Sequence, residues 1–195
     1  MQHKVKLTVI DRKLYPELQE QYCTDPNAGM CPCYQVGDEF VFERYGAADD
    51  FWHMGLNTLK QTVSRADGTA GGTSFPHCSE AWDAISRYIY AGLQGGSIMR
   101  GWMKDERVMI ACCSDGTRPV IFRIKRMDYK VLYIEGIQCD NCKSRIKSAL
   151  EQIEGVEEVI FREEYAEVYL QGNIEDELLK NRVEECGQFT VSKID

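Results

Sequence analysis

The chain has 195 residues, a net charge of −8 and a hydrophobic fraction of 44%. This composition is typical of a soluble globular protein, and the lack of a long apolar run excludes a membrane-spanning segment. Because Lys and Arg are nowhere gathered into a basic patch, we expect no nucleic acid partner.

The negative charge divides the sequence into two parts. Residues 1–127 are neutral, whereas residues 128–195 carry the whole charge of −8. This difference, in a chain long enough for two small domains, predicts a domain boundary near Asp128. The N-terminus enters a strand-like pattern directly and lacks the apolar core of a signal peptide, so we expect a cytoplasmic protein.

The first part, residues 1–127, is predicted to be an α+β domain with mainly antiparallel strands. Val5, Leu7 and Val9 alternate with polar residues, which is typical of a half-buried strand. Ser79 is predicted to cap a helix whose apolar side chains recur at helical spacing. The predicted elements are a strand at 4–9, a helix at 17–22, a turn into a strand at 36–42, a helix at 80–93 and a hairpin of strands at 108–112 and 119–125.

Nine cysteines are many for a cytoplasmic protein. A chain of this length needs no disulfide framework, so its cysteine usage indicates metal binding or thiol chemistry. The alternative is that several are small buried apolar residues, which applies best to Cys186 and to one of Cys112 and Cys113. The cysteines occupy positions 23, 31, 33, 78, 112, 113, 139, 142 and 186.

The N-terminal cysteines allow three interpretations. A second metal site or an iron–sulfur cluster would be formed by the convergence of Cys31, Cys33, Cys78, His77 and Cys113 or its neighbour Cys112. Alternatively, Cys78 is a catalytic thiol, because a helix start favours the thiolate and His77 precedes it. The third interpretation is a binding or oligomerising domain with buried thiols.

Three short motifs link this first part to a known group of sequences. They are the run from Cys33 to Phe40, the Cys-x-x-Ala-Trp step at Cys78 and the run from Cys113 to Ile124. Through them, most of residues 4–127 resembles an uncharacterised family of small prokaryotic proteins. No activity is assigned to that family, so the resemblance indicates little about the function of this part.

Residues 128–195 show a regular order of predicted elements. Gly155 and Gly187 follow two helical patterns and are predicted to end them. The elements are a strand at 130–135, a helix at 143–153, strands at 156–162 and 166–171, a helix at 174–185 and a strand at 189–194. This βαββαβ order predicts a ferredoxin-like fold.

The most informative motif is the Cys-x-x-Cys pair of Cys139 and Cys142, between the first strand and the first helix of this part. The partial positive charge of a helix N-terminus favours thiolates over thiols. Two adjacent thiolates form a soft site of low coordination number, which selects Cu(I) and related ions over hard cations. Since Cys142 lies nearer the helix, we expect it to be the more buried thiolate.

The segment from Gly136 to Cys142 and the helix after it resemble the metal-binding loop of heavy-metal-associated domains in copper chaperones and copper-exporting ATPases. The runs 153–156 and 183–187 are similar to the ends of that family's two helices. The resemblance implies that Cys139 and Cys142 bind one Cu(I), or another soft ion such as Zn, Hg or Cd. It also implies transfer of the ion, by thiolate exchange, to a metal-transporting ATPase or another metal-accepting protein.

The loop departs from the family pattern at two positions. Ile137 stands where the family usually has Met, and Gln188 or Phe189 stands where the family has an aromatic residue or Lys near the metal. Gln138 precedes the first cysteine, at a position where an acidic residue accompanies zinc in this family. The resemblance therefore favours Cu(I).

A redox motif and a structural zinc site both fit the Cys-x-x-Cys pair less well. A thioredoxin-type redox motif would contain Trp and Pro, and a structural zinc site needs four ligands, whereas no second Cys-x-x-Cys lies nearby. We therefore expect a metal-handling protein, a chaperone, buffer or sensor without catalysis. The rival hypotheses are an enzyme whose N-terminal active site is loaded by the C-terminal domain, and a protein of thiol–disulfide exchange.

Overall fold

The computed structural model describes residues 1–44, 59–68 and 78–195. Its elements are β1 Gln2–Arg12, α1 Pro16–Tyr22, β2 Glu39–Arg44, β3 Leu59–Ser64, α2 Ser79–Leu93, β4 Val108–Cys112, β5 Val120–Glu135, α3 Asp140–Glu151, β6 Val156–Phe161, β7 Ala166–Leu170, α4 Asp176–Glu185 and β8 Thr190–Ile194. The chain forms two compact units, His3–Arg126 and Met127–Asp195, the second of which includes Met1–Gln2. Within the described ranges, no helix is long and apolar enough to cross a membrane.

The first unit consists of a sheet with one long helix against it. Its strands follow the order β3-β2-β1-β5-β4, to which β5 contributes its N-terminal half. Helix α2 contacts β2 and β4, and it buries Ala81, Ile85 and Ile89, which recur every four residues. This spacing places them on one face of the helix, toward a core that includes Phe40 and Phe42.

Helix α2 begins one residue earlier than the sequence predicts. Ser79 is its first helical residue, and Cys78 takes the N-cap position with an extended backbone of φ −116° and ψ 116°. The Cys78 carbonyl accepts the first helical hydrogen bond from the Trp82 amide at 2.9 Å. The predicted cap by the Ser79 side chain is therefore wrong.

The second unit has the predicted βαββαβ order. The C-terminal half of β5 pairs antiparallel with β7 on one side and with β8 on the other, and β6 pairs with β7, giving the order β6-β7-β5-β8. Helices α3 and α4 contact each other and lie against β6 and β8, respectively. The fully buried Leu132, Ile146 and Leu179 belong to the core between helices and sheet. The α+β fold with a ferredoxin-like C-terminal domain is confirmed.

One predicted break in the chain is absent. The strands predicted at 119–125 and 130–135 form a single 16-residue strand, β5. Arg126 donates its amide to the Arg107 carbonyl at 2.8 Å, and Asp128 pairs with Leu170 in the ladder to β7. The backbone between the two predicted strands is therefore hydrogen-bonded to strand or loop partners. Net charge reports surface composition, so a change of charge does not require a break in a strand.

Candidate metal centre

The Cys-x-x-Cys loop is held by a glycine at its start. Gly136 directly follows β5 and has a φ of +90°, a conformation that side chains disfavour. A Cβ atom at this position would lie 2.5 Å from the Gln188 carbonyl oxygen. The loop therefore approaches the backbone between α4 and β8 more closely than any residue other than glycine allows.

The two sulfurs of the loop face each other. The Sγ atoms of Cys139 and Cys142 are 3.2 Å apart, whereas a disulfide bond measures about 2.05 Å. Cys139 is the N-cap of α3, and its carbonyl accepts the amides of Cys142 at 3.1 Å and Lys143 at 3.3 Å. Cys139 is exposed and Cys142 is half-buried, the order that the sequence predicts.

The surroundings of Cys142 favour its thiolate. A backbone hydrogen bond from Gln138 is the largest of the effects that lower the pKa of Cys142. The Cys139 thiol is the next largest effect in the same direction, and burial opposes both. The Cys139 backbone and the positive charge of Arg145 add smaller lowering effects. A thiolate is the form that binds a metal ion, so the site is electrostatically prepared for a cation.

Two sulfurs in this position fit a soft ion. Two ligands about 2.3 Å from a shared ion are at most about 4.6 Å apart. The sulfurs, 3.2 Å apart, are near enough to share one ion and would move apart to bind it in a line. Ile137 is partly buried and packs against the core of the unit beneath the loop. The site thus combines an apolar base with two thiol ligands at the surface.

Arg145 is a site residue that sequence reasoning missed. Its guanidinium donates a hydrogen bond to the Cys186 carbonyl and lies 5.8 Å from the centre of the Phe189 ring. A Cβ atom on Gly187 would lie 2.5 Å from that ring, so the turn before β8 is tightly packed. The sequence spacing could have revealed this position. Arg145 follows Cys142 by three residues, and residues three apart are neighbours on a helix surface.

A groove opens beside the exposed thiol. Its volume is about 550 Å³, and it lies between the Cys-x-x-Cys loop and the turn that joins β6 to β7. Gln138, Cys139 and Lys143 line one wall, and Arg162, Glu163 and Tyr165 line the other. Cys139 is therefore accessible from a concave surface rather than from a flat one.

The N-terminal cysteines pack around one core. Cys31, Cys33, Cys78 and Cys113 are partly buried against the apolar cluster of the first unit. Within the described ranges, no three Cys, His, Asp or Glu side chains are arranged to hold a metal ion. His77 lies outside the described residues, so its predicted roles beside Cys78, as a ligand or as a base, stay predictions.

The second unit matches a known protein family. Residues 131–189 match the family described as "Heavy-metal-associated domain". This segment is a heavy-metal-associated domain. The match includes both cysteines of the loop as well as Arg145 and Phe189, and it supports a metal-binding role for the segment. The resemblance of residues 4–127 to a prokaryotic family stays a prediction.

One solved structure similar to the heavy-metal-associated domain is a copper-binding domain from HMA7, a P-type ATPase. Its sequence is 22% identical, the similarity covers 35% of this chain and 92% of that chain, and the TM-score is 0.30. No curated protein matches the chain. The metal-binding role therefore depends on the family match and on the geometry of the loop.

Proposed function

We propose that the heavy-metal-associated domain binds one Cu(I) ion between Cys139 and Cys142 and serves as a copper chaperone, buffer or sensor. The observation that carries this proposal is the pair of sulfurs 3.2 Å apart at the start of α3. Two thiolates satisfy a soft monovalent ion, whereas structural zinc sites have four ligands. The lowered pKa of Cys142 favours the thiolate, which is the form that binds a metal ion.

The difference in exposure suggests how the ion moves. A thiolate of a partner approaches along the groove and binds the ion while Cys142 still holds it. Cys139, the exposed ligand, then leaves, and a second partner thiolate replaces Cys142. The copper stays Cu(I) throughout, and each departing sulfur takes up a proton or waits as a thiolate for the next ion.

The partner is expected to be another cysteine-bearing metal carrier, such as a metal-transporting ATPase. Residues 128–195 carry the whole net charge of the chain, −8. An acidic domain associates faster with a partner that presents a basic patch. High salt is therefore expected to slow transfer without weakening the binding of the ion itself.

A competition titration tests the proposal. The reduced full-length chain and its Cys139→Ser/Cys142→Ser variant are titrated with Cu(I) under anaerobic conditions against a chromogenic chelator. We expect the variant to lose one of the ions that the wild type retains, because a serine hydroxyl is a hard ligand. The matched control is Cys23→Ser/Cys112→Ser, which also removes two thiols and should lose none. Equal ion counts in the wild type and the Cys139→Ser/Cys142→Ser variant would contradict the proposal.

The same two sulfurs also support a second candidate, thiol–disulfide exchange. Their distance and the lowered pKa of Cys142 are what an attacking thiolate needs. The discriminating measurement is the reduction potential of the Cys139–Cys142 pair in the full-length chain. A potential well below that of the glutathione pool would mean a disulfide that cellular thiols do not reduce, which argues against a reversible exchange role.

A further inference from the structure

The groove beside Cys139 carries charges of both signs on its walls. Lys143 lies on the wall that holds the thiol, and Arg162 lies on the opposite wall together with Glu163 and Glu164. A second cavity of about 530 Å³ adjoins the groove, since Lys143, Arg162 and both glutamates line it as well. Two cations from different elements of the fold therefore line the same groove as the exposed thiol.

The position of Arg162 is fixed by a buried carboxylate. Arg162 Nη2 donates to Glu167 Oε2 at 2.9 Å, and the Tyr169 hydroxyl donates to the same oxygen at 2.7 Å. The Glu167 side chain is 4% exposed, whereas that of Arg162 is 45% exposed. A guanidinium has several N–H donors, so the bond from Nη2 does not exhaust its capacity to bind an anion. Arg162 is therefore anchored on one side and accessible to a ligand on the other.

The turn that joins β6 to β7 holds this wall in place. The Arg162 amide donates to the Tyr165 carbonyl at 2.7 Å, which closes a turn with Glu163 and Glu164 at its tip. The Tyr165 ring lies 5.9 Å from the Tyr133 ring of β5. Both glutamates are exposed. The turn is therefore packed on the sheet and presents two carboxylates beside the guanidinium.

Lys143, the cation on the other wall, is held less firmly. Its Nζ atom lies 3.8 Å from the carboxylate of Asp140, whose side chain is 99% exposed. An exposed ion pair of this kind contributes little free energy, so the ammonium group exchanges it easily for the carboxylate of a ligand. Lys143 and Arg162 can therefore each bind one carboxylate, on opposite walls of the groove.

These features define the chemistry of an occupant. Cations on facing walls fit a molecule with two carboxylates, and the glutamates of the turn fit an ammonium group on the same molecule. The volume of about 550 Å³ suits a small molecule, because ligand pockets span roughly 300–1,000 Å³. Residues 128–195 carry the net charge of −8, so an occupant without a positive group would be repelled more strongly.

We propose that the groove binds a small peptide thiol with two carboxylates and an ammonium group, such as glutathione, and that this thiol exchanges Cu(I) with Cys139. The ligand thiolate forms a bond to Cu(I), the bond from Cys139 to Cu(I) breaks, and the Cys139 sulfur takes up the proton that the ligand thiol released. The copper stays Cu(I), so no oxidant or reductant takes part. The exchange step rests on the Cu(I) site proposed above, whereas binding in the groove does not.

Binding is tested on the metal-free full-length chain with S-methylglutathione, which keeps the charges of glutathione and has no free thiol. Calorimetric titration measures its affinity. We expect its diester, which lacks both carboxylates, to bind roughly tenfold more weakly, although the acidic domain attracts the more positive diester. Arg162→Gln and Lys143→Gln should each weaken binding of S-methylglutathione roughly threefold, as is usual for an exposed charge.

The matched control is Arg182→Gln, which removes a positive charge from the last turn of α4 and should leave the affinity unchanged. Lys143→Gln keeps the test decisive if loss of the Arg162 partner of Glu167 destabilises the fold, because the Lys143 side chain is 42% exposed. Equal affinities for S-methylglutathione and its diester, or an affinity unchanged by Lys143→Gln, would overturn the groove site. A complete lack of binding would overturn it in favour of a cysteine on a protein partner.

Exchange is tested on the full-length chain loaded with one equivalent of Cu(I). Glutathione or its diester, at equal thiolate concentration, is added with excess chromogenic chelator, and the rate of copper release is followed. We expect release to be roughly fivefold faster with glutathione and to be slowed by S-methylglutathione. Equal rates with glutathione and its diester would overturn the exchange step. If Cys139 and Cys142 hold no Cu(I), the proposed function fails, and the affinity for S-methylglutathione still decides the groove site.

Discussion

The two thiol pairs of this chain occupy opposite kinds of surroundings. Cys139 and Cys142 lie at a helix N-terminus beside an open groove, and the pKa of Cys142 is lowered. Cys31 and Cys33 lie in a loop packed against a core, and the pKa of Cys33 is raised. The difference shows that the surroundings of a cysteine decide in which direction its pKa moves: a backbone hydrogen bond lowers the pKa of Cys142, and burial raises that of Cys33.

The largest effect is expected at the glycine that positions the exposed pair. Gly136→Ala should destabilise the second unit by about 2–4 kcal/mol, because it adds a clash with the Gln188 carbonyl to the cost of a positive φ. Urea denaturation followed by a signal from the second unit measures this free energy of unfolding.

Gly172→Ala is the matched control for this substitution. Gly172 also has a positive φ, of +92°, but a Cβ atom there would meet nothing within 4 Å. We expect a cost of about 1–2 kcal/mol, from the backbone conformation alone. Equal losses at the two glycines would mean that the close approach to Gln188 does not hold the loop.

The next effect concerns the reactivity of the two pairs in the metal-free chain. Only the thiolate is alkylated, so a lowered pKa moves the reaction to lower pH and a raised pKa moves it to higher pH. Cys142 should therefore react at a lower pH than an ordinary cysteine, and Cys33 at a higher one. At pH 7 we expect Cys142 to react roughly tenfold faster than Cys33 or more.

Mass spectrometry of partially alkylated protein over a range of pH gives both profiles in one experiment. The exposed Cys112, whose pKa is raised chiefly by partial burial, serves as the internal reference for solvent access. If Cys33 reacted at lower pH than Cys142, the electrostatic contrast between the two pairs would be wrong.

The smallest effect is expected at Arg145. Removing its charge with Arg145→Gln should weaken Cu(I) binding by the heavy-metal-associated domain roughly twofold to fivefold, as is usual for an exposed charge. Arg182→Gln, in the last turn of α4, makes the same charge change elsewhere in the unit and should have less effect. Chelator competition in the full-length chain measures both. Equal Cu(I) affinities for the two variants would show that Arg145 makes no specific contribution to the site.

The sequence predicts local features of the site well. The alternation and helical spacing of residues 128–195 predict the βαββαβ order, and the two-residue gap between Cys139 and Cys142 at a helix start predicts that the two thiols lie about one turn apart. Such features depend on neighbours within one or two turns, which a sequence displays directly.

Long-range features escape the same reasoning. The packing of Cys31, Cys33, Cys78 and Cys113 against one core depends on how strands and loops from distant positions meet, and no local pattern encodes it. The continuity of β5 across residues 126–128 likewise follows from partners on other strands and loops. Arg145 belongs to the site because it reaches the Cys186 carbonyl, 41 positions along the chain.

The central claim, that Cys139 and Cys142 alone hold one soft ion, is tested most directly by X-ray absorption spectroscopy at the copper edge. The sample is the full-length chain loaded with one equivalent of Cu(I). We expect a two-coordinate ion bound by two sulfurs with no nitrogen or oxygen ligand. A shell of three or more sulfurs, or one that contains nitrogen, would show that other side chains hold the ion and would contradict the account.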